Sequence, residues 1–394
     1  MLAAAKKMLE SYAPTEIVFG EKAFARLEQE ICFRQAKNIL LITGGNNSFI
    51  RSGAADACTA VLKKCGVMPQ IFSGVPAEPD VETIRSIVKK MDDIKPDLVL
   101  AAGGGSVMDA AKAAYLSWQA DADIVSLFGG GVASKMFPER VFQRVICIPT
   151  TSGTGSEITP YSNIVDKAKD LKYIVIDRQI VPELALIDPF LTFSMGKELT
   201  IATALDAMTH AIESLLNYRA KNADPAAESW ALMSVALIRH ALPCYEEREA
   251  RNMLAAAAAM GGMCIACRPT ALPHLCSYSM WGKVPHGLAV ALLLPHFWRY
   301  YLDGDIPEIA EQTMKLSPIF GGSTPGEVVS ACEAFIARVS PYKKLSEIES
   351  FDSTMVEKIA SDAILNPVKL QTAPRPVVLN DARDLIYKIL RKLV

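Results

Sequence analysis

Five histidines occur in this sequence, and all of them lie between residues 200 and 296. Asp206 and His210 are four residues apart in an alanine-rich run that predicts a helix, so both side chains project from one face. His274 and His286 follow in the same region. One carboxylate and three imidazoles form a donor set that can bind a divalent first-row metal ion. These four residues therefore predict a metal site.

The alternative is that each histidine is an ordinary core or surface residue, which is the commoner role of a lone histidine. We interpret His240 and His296 in that way. For the others, two features favour metal binding: the helical spacing of Asp206 and His210, and the Pro-His-Gly turn that fixes His286. Spacing alone leaves both interpretations open.

A glycine-rich segment, residues 103–109, directly follows the buried-strand pattern of residues 97–102. Three consecutive glycines let a backbone approach a ligand closely, and a helix predicted from about Val107 points its free amides at the loop. Such a loop can bind a pyrophosphate. It has neither the Walker spacing nor the G-x-G-x-x-G pattern, and a tight turn with close helix–sheet packing is the alternative.

A second loop, PTTSGTGSE at residues 149–157, follows the strand-like run that ends at Pro149. Hydroxyls interleaved with glycine can hydrogen-bond a ribose or an amide without a steric clash. The alternative is an ordinary Ser/Thr turn.

The organisation of the chain changes near residue 197. Before it, strand-like and helix-like segments alternate, which predicts βαβ units and a mostly parallel sheet. After it, alanine, leucine and methionine dominate and strand patterns vanish. We therefore predict a dinucleotide-binding α/β domain at 1–196 and an all-α, metal-binding domain at 197–394. No low-complexity linker separates them, so we expect rigid packing with a cleft between.

Composition excludes several classes of protein. A net charge of −2 and a pI of about 6.3 do not fit a nucleic-acid-binding or acidic-membrane-binding surface. Nine cysteines form no disulfide framework, and the first residues lack a signal-peptide pattern, so we expect a cytoplasmic protein. The apolar run from Leu254 is interpreted as an interior helix rather than a membrane span, and its Cys264 and Cys267 receive no role.

Five motifs together resemble the iron-containing (group III) alcohol dehydrogenase family over nearly the whole chain. They are GGGSVMDAAK, PTTSGTGSE, Asp188-Pro189, DAMTHAIES and PHGLAVALLLPH, in the family's usual order. The resemblance implies a Rossmann-like N-terminal domain and a helical C-terminal domain, an architecture similar to that of dehydroquinate synthase. It also implies a bound Fe²⁺ or Zn²⁺, an NAD(H) or NADP(H) cofactor, and a homodimer or larger homo-oligomer.

Matched position by position, the resemblance assigns Asp206, His210, His274 and His286 as metal ligands. The cofactor-binding residues that it implies are Gly44, Gly103, Gly104, Gly105, Ser106, Val107, Asp109, Thr150, Thr151, Thr154, Asn163 and Lys172.

The chain departs from the family pattern around its third ligand. Members commonly carry a second histidine four residues after it, which is thought to assist a proton relay, and Tyr278 occupies that place here. Tyr278 is a candidate relay, although an ordinary phenol pKa of about 10 makes it a poor base at neutral pH. A packed aromatic is the alternative. The segment from His274 to His286 is also two residues shorter than usual.

A further departure concerns the cofactor. NAD-preferring members tend to end the second strand with an aspartate, whose charge would repel a 2′-phosphate, whereas this strand ends in Thr43-Gly44. Asn46, Asn47 and Ser48 follow as possible hydrogen-bonding groups. The sequence therefore favours NADP(H).

These residues lead to a functional hypothesis: reversible hydride transfer between C4 of a nicotinamide and a primary alcohol or aldehyde, with the metal as a Lewis acid. Two alternatives stay open. One is a metal-dependent lyase of the dehydroquinate synthase type, and the other is a catalytically idle protein that binds nucleotide or metal.

Overall fold

The structure is a computed structural model that describes residues 1–21, 23–220 and 224–394, without the side chain of Asn46. The chain divides into two compact units, Leu2–Met195 and Gly196–Val394. We call them the α/β unit and the helical unit.

The α/β unit is built on a six-stranded sheet in which every neighbouring pair of strands is parallel. Its strands are β1 (Glu16–Phe19), β2 (Ile39–Thr43), β3 (Gln70–Phe72), β4 (Leu98–Gly103), β6 (Ile146–Pro149) and β9 (Leu184–Ile187), and a second, three-stranded sheet contains β5 (Gly129–Gly130), β7 (Tyr161–Asp166) and β8 (Leu171–Ile176). The order in the large sheet is β1-β9-β6-β4-β2-β3. Strands β2, β4 and β6 are therefore adjacent, and their carboxyl ends lie at one edge.

Helices cover both faces of this sheet, because successive residues of its central strands are apolar. The helices are α1 (Leu2–Glu10), α2 (Ala23–Arg34), α3 (Asn46–Arg51), α4 (Ala54–Lys64), α5 (Val81–Ile94), α6 (Gly105–Ala120) and α7 (Val132–Met136). In β2, Leu40 and Ile42 join one core cluster with α5 and α6, while Ile39 and Leu41 join a second cluster with α2 and α4. This arrangement is the one expected for a parallel sheet buried on both faces.

The strand predicted from Lys172 lies in the small sheet rather than the large one. It forms β8, which pairs antiparallel with β7, and only a short turn joins the two strands. A turn of this length allows an antiparallel hairpin but not a parallel pair, which needs a crossover connection. In that turn Asp170 adopts a left-handed backbone conformation, with φ of 52°.

The helical unit contains no strand among its described residues. Its helices are α8 (Lys197–Leu216), α9 (Ala227–Ala241), α10 (Arg248–Cys267), α11 (Leu272–Ser277), α12 (His286–Leu302), α13 (Pro307–Met314), α14 (Ser317–Phe320), α15 (Pro325–Val339), α16 (Ser353–Ala363), α17 (Pro367–Thr372) and α18 (Leu379–Leu390). Helix α8 is central, since α9, α10 and α12 all pack against it. The predicted combination of a mostly parallel α/β part with a helical C-terminal part is confirmed.

Helix α10 is long and apolar enough to cross a membrane by length and composition alone. However, 83% of its most apolar window is buried inside the protein, against α8 and α9. A core helix passes the same test of length and composition, so α10 agrees with the predicted interior helix.

Candidate metal site and nucleotide-binding loops

Two of the predicted ligands lie on α8 and face the same side of it. Asp206 and His210 are 3% and 5% exposed, and their Oδ1 and Nε2 atoms are 3.6 Å apart. The four-residue spacing places one above the other on the helix surface. Helix α8 alone therefore supplies half of the donor set.

The other two histidines reach the same aspartate oxygen from separate segments. His274 lies on α11 and His286 is the first residue of α12, and their Nε2 atoms are 3.5 and 3.7 Å from Asp206 Oδ1. The donor atoms of Asp206, His274 and His286 all lie within 4.8 Å of one another. Ligands at about 2.1 Å from a tetrahedral metal ion are about 3.4 Å apart. The separations from Asp206 Oδ1 thus match the spacing of ligands around one ion.

The hydrogen bonding of these atoms fits a bound cation. Asp206 Oδ1 and His274 Nε2 are buried and have no hydrogen-bond partner among the described residues. Buried polar atoms in proteins nearly always have a partner. Two such atoms that face each other across 3.5 Å, beside two further imidazoles, form a donor set for a divalent metal ion.

At Asp206 and His210 the electrostatics favour the protonation states that bind a metal. Burial by itself would raise the pKa of Asp206, but attraction to the imidazoles of His210 and His286 outweighs it and holds that pKa below its usual range. Burial lowers the pKa of His210 to about 4 despite the opposing charge of Asp206, and His274 and Lys369 add to the lowering. An ionised carboxylate and a neutral imidazole are the forms that ligate metal ions.

Glu213 orients the third ligand, and our sequence reasoning missed it. Its carboxylate hydrogen-bonds Nδ1 of His274 and accepts a bond of 2.8 Å from the backbone N–H of Ala271. Burial would lower the pKa of His274, but Glu213 and Asp206 outweigh it and raise that pKa. A carboxylate on Nδ1 keeps a proton there and leaves Nε2 free for a metal. The one indication of this role in the sequence was the position of Glu213, three residues after His210 on α8.

Ser277 orients the fourth ligand, His286, and this residue was also not predicted from the sequence. Its hydroxyl donates to the backbone oxygen of His274 at 2.8 Å, and its Oγ lies 3.3 Å from Nδ1 of His286. Since the hydroxyl hydrogen is used, Oγ accepts the Nδ1 proton of His286. This arrangement leaves Nε2 of His286 directed at Asp206.

Gly287 permits the close approach of α12 to α8. A Cβ atom at this position would lie 1.8 Å from the backbone oxygen of Ala202 and 2.9 Å from Cβ of Asp206. Any other residue would push the two helices apart. The sequence reasoning assigned this glycine only to a turn, whereas it sets the distance between His286 and Asp206.

Tyr278 is half-buried and begins the 3₁₀ turn that follows α11. The Nζ atom of Lys369, on α17, lies 5.2 Å from the centre of its ring. This contact involves the ring face, and the relay role of Tyr278 stays a prediction.

The predicted nucleotide loops meet at the carboxyl ends of β2, β4 and β6. Gly44 follows β2, Gly103–Gly105 follow β4, and the backbone N–H of Thr150, after β6, donates to the oxygen of Gly103 at 2.9 Å. In sequence order the chain runs from β2 outward to β3 and then returns to the other side of β2 as β4. Open α/β sheets bind ligands at the carboxyl edge where the strand order reverses in this way.

The glycines of this edge are required by the neighbouring loop. A Cβ on Gly104 would lie 3.3 Å from the side chain of Thr151, and one on Gly105 would lie 2.4 Å from Oγ1 of Thr154. Helix α6 begins at Gly105 and has no side-chain cap. Its first amides therefore have no side-chain acceptor and could bind an anionic group beside both loops.

Other predicted cofactor residues make contacts within the protein. The carboxylate of Asp109 accepts hydrogen bonds from the backbone and side-chain amides of Asn163, at 2.9 and 3.3 Å, and from the hydroxyl of Ser156. Ser106 donates its hydroxyl to the backbone oxygen of Ala77. Val107 is buried against Gly103. These contacts hold the glycine loop to its neighbours.

Lys172 lies apart from these loop contacts, on β8. Its ammonium pairs with the carboxylate of Glu78 at 2.7 Å. A cofactor role for Lys172 stays a prediction.

Comparison with known proteins decides the family. The sequence profile described as "Iron-containing alcohol dehydrogenase" matches residues 14–189, and the profile described as "Fe-containing alcohol dehydrogenase family, C-terminal" matches residues 200–393. The chain belongs to the iron-containing alcohol dehydrogenase family. This result confirms the predicted family, which is one of oxidoreductases.

Individual relatives agree with this family. The NADPH-dependent butanol dehydrogenase of Clostridium saccharobutylicum is 31% identical over 337 residues, which cover 82% of this chain and 81% of that protein. The bifunctional aldehyde-alcohol dehydrogenase AdhE of Escherichia coli (strain K12) is 29% identical over 351 residues, and the match spans 83% of this chain but only 39% of AdhE. The solved structure of the iron-containing alcohol dehydrogenase from Thermococcus thioreducens has a TM-score of 0.84 and 25% identity, covering 96% of this chain and 99% of that one.

Proposed function

We propose that this family member transfers a hydride between NAD(P)(H) and a primary alcohol or aldehyde. The observation that supports the proposal most strongly is the convergence of three Nε2 atoms within 3.7 Å of Asp206 Oδ1. The relatives named above are alcohol dehydrogenases, in agreement with this chemistry.

In this proposal Asp206, His210, His274 and His286 hold Fe²⁺ or Zn²⁺, which supplies Lewis acidity toward the substrate oxygen. Neighbouring residues and burial set the protonation states of these ligands. Glu213 keeps the proton of His274 on Nδ1, Ser277 accepts the proton of His286, and burial keeps His210 neutral.

The α/β unit supplies the cofactor site of the proposal. The first amides of α6 and the glycine loop bind the diphosphate, and the hydroxyls of Thr151 and Thr154 form the adjoining polar wall. NADP(H) is favoured because β2 ends at Thr43 and Gly44 without a carboxylate. Asn47 and Ser48 lie in the following helix, and the side chain of Asn46 lies outside the described part of the structure.

One assay distinguishes this proposal from its two alternatives. Purified, Fe²⁺-loaded protein is incubated with NADPH and a panel of small aldehydes, while reduced-nicotinamide absorbance and aldehyde consumption are followed together. Equal consumption of both supports the dehydrogenase. Substrate loss without a net change in absorbance indicates a lyase, and no turnover with measurable nucleotide or metal binding indicates an idle protein.

Cofactor preference is tested with Gly44→Asp, which places a carboxylate at the end of β2. A Cβ at this position is 3.3 Å from the hydroxyl of Ser48, which can rotate away. Charge repulsion of the 2′-phosphate should lower the ratio of kcat/KM for NADPH over NADH by at least about tenfold. An unchanged ratio would show that the ribose of the cofactor does not bind near the end of β2.

Three further expectations stay predictions. They are the proton relay through Tyr278, the homo-oligomeric state and the cytoplasmic location. A Tyr278→Phe variant with an unchanged rate and pH profile would remove Tyr278 from the reaction.

A further inference from the structure

Lys369 is a cation without a carboxylate partner beside the candidate metal site. The described part of the helical unit has three half-buried lysines: 315, 358 and 369. Lys315 pairs with Glu228 at 2.8 Å and Lys358 pairs with Asp362 at 3.0 Å. Among the described residues, no carboxylate lies within 4.0 Å of the Lys369 ammonium. The Lys369 ammonium is therefore available to pair with an anionic ligand.

The contacts of Lys369 are neutral and belong to the segment that carries His274. Its Nζ donates to Oγ1 of Thr270 at 2.7 Å and lies 5.2 Å from the ring centre of Tyr278. Thr270 is 8% exposed and immediately precedes Ala271, whose N–H holds Glu213. These two contacts leave the positive charge of Lys369 uncompensated.

Hydrogen bonds connect Lys369 to the segment that carries His274. Thr270, which accepts the bond from Lys369, is followed by Ala271, whose N–H donates to Glu213, and Glu213 in turn hydrogen-bonds His274. An anion held by Lys369 would therefore lie beside the segment that carries this metal ligand.

We propose that Lys369 and Thr270 form a subsite for a carboxylate on the substrate, so that the chain acts on ω-hydroxy acids and the corresponding ω-oxo acids. This inference rests on the proposed dehydrogenase function. One ammonium and one hydroxyl match the charge and acceptors of a carboxylate, whereas phosphate recognition typically uses more donors or a guanidinium fork. The names of the relatives, such as butanol dehydrogenase, refer to neutral alcohols.

The kinetic test compares chain-matched aldehydes with and without a terminal carboxylate. The metal-loaded enzyme is assayed with 4-oxobutanoate, 5-oxopentanoate and 6-oxohexanoate against butanal, pentanal and hexanal. We expect at least one oxo acid to exceed its neutral partner in kcat/KM. The Lys369→Gln variant should reduce that preference about 10- to 100-fold, the scale of one charge-assisted hydrogen bond.

Two variants serve as controls. Lys369→Arg retains the charge and should keep most of the preference. Lys315→Gln removes a half-buried but paired lysine of the same unit and should leave the preference unchanged. If Lys369→Gln does not fold, the preference of the native enzyme should still fall as salt is raised, because salt screens a partly exposed charge.

A binding measurement separates failure of the subsite from failure of the proposed function. Titration calorimetry of the metal-loaded protein with 4-hydroxybutanoate, 5-hydroxypentanoate, 6-hydroxyhexanoate and the matched alcohols needs no turnover. Carboxylate binding that depends on Lys369, without reduction of any aldehyde, would retain the subsite and refute the dehydrogenase. Turnover of neutral aldehydes with no preference for a carboxylate in either measurement would overturn the subsite alone.

Discussion

The two candidate sites are built from different parts of the chain. The nucleotide-binding edge consists mainly of backbone, supplied by loops after neighbouring parallel strands, with glycines where side chains would collide. The metal site consists of side chains from α8, α11 and α12, which are separated by up to 80 residues along the sequence. A local pattern specifies the first site, whereas long-range helix packing specifies the second. Substitutions should therefore act on the two sites by different routes.

In both sites a glycine allows another segment of the chain to approach closely, but the atoms that a side chain there would collide with are of different kinds. Beside Gly105 the obstructing atoms belong to the Thr154 side chain, which can rotate in part. Beside Gly287 the nearest atom is a backbone oxygen within helix α8, which cannot move without the helix. Substitution by alanine should therefore disturb the structure more at Gly287 than at Gly105.

The largest effect is expected for Gly287→Ala. Its Cβ would lie 1.8 Å from the oxygen of Ala202, so α12 must shift and take His286 away from Asp206. We expect loss of most bound metal, measured by elemental analysis, and destabilisation by about 1–3 kcal/mol in denaturant unfolding of the apoprotein. The matched control is Gly326→Ala, also the second residue of a helix, with no atom within 4 Å of the new Cβ. Full metal content in Gly287→Ala would show that the helix contact does not position His286.

An intermediate effect is expected for Gly105→Ala. Its Cβ would lie 2.4 Å from Oγ1 of Thr154, so the two loops must separate and the first amides of α6 must turn. Nucleotide binding, followed by NADPH fluorescence, should weaken about tenfold or more, while metal content stays normal. Gly130→Ala, in the small sheet of the same unit, has open space and should bind NADPH normally. Unaltered binding by Gly105→Ala would mean that these loops do not contact the cofactor.

The smallest effect is expected for Ser277→Ala. The variant removes the acceptor for Nδ1 of His286, whose side chain is 29% exposed and can find water instead. Loss of such a supporting hydrogen bond weakens metal binding by about 10- to 100-fold, and we expect the lower end. Competition with a chromophoric chelator measures the change in Kd, and Ser279→Ala is the neighbouring buried control. Equal metal affinity in the two variants would exclude a positioning role for Ser277.

Much of the fold could be predicted because its signals are local. The buried runs at β2 and β4 and the alanine-rich pattern of α8 are visible in the sequence itself. The pairing of β7 with β8 was not predicted, since an apolar run shows that a strand exists but not which partner it takes. The sequence placed the boundary between the two parts where alternation of strands and helices stops.

The candidate metal ligands were predicted from residue type and from the family motifs, but the residues that support them were not. Glu213, Ser277 and Gly287 act across 61, 9 and 85 positions respectively, on His274, His286 and Ala202. Sequence spacing does not encode such tertiary contacts. Lys369 is a similar case, because only the folded structure shows that its described contacts are Thr270 and Tyr278 rather than a carboxylate.

The central claim is that four side chains of the helical unit converge on one metal ion, with Asp206 at their centre. Elemental analysis of anaerobically Fe²⁺-loaded protein, for the native chain and for Asp206→Ala, tests it most directly. The native chain should hold one ion per chain, and Asp206→Ala should hold less than about a tenth of that while keeping its circular dichroism spectrum and a cooperative unfolding transition. One firmly bound ion per chain in Asp206→Ala would contradict the account.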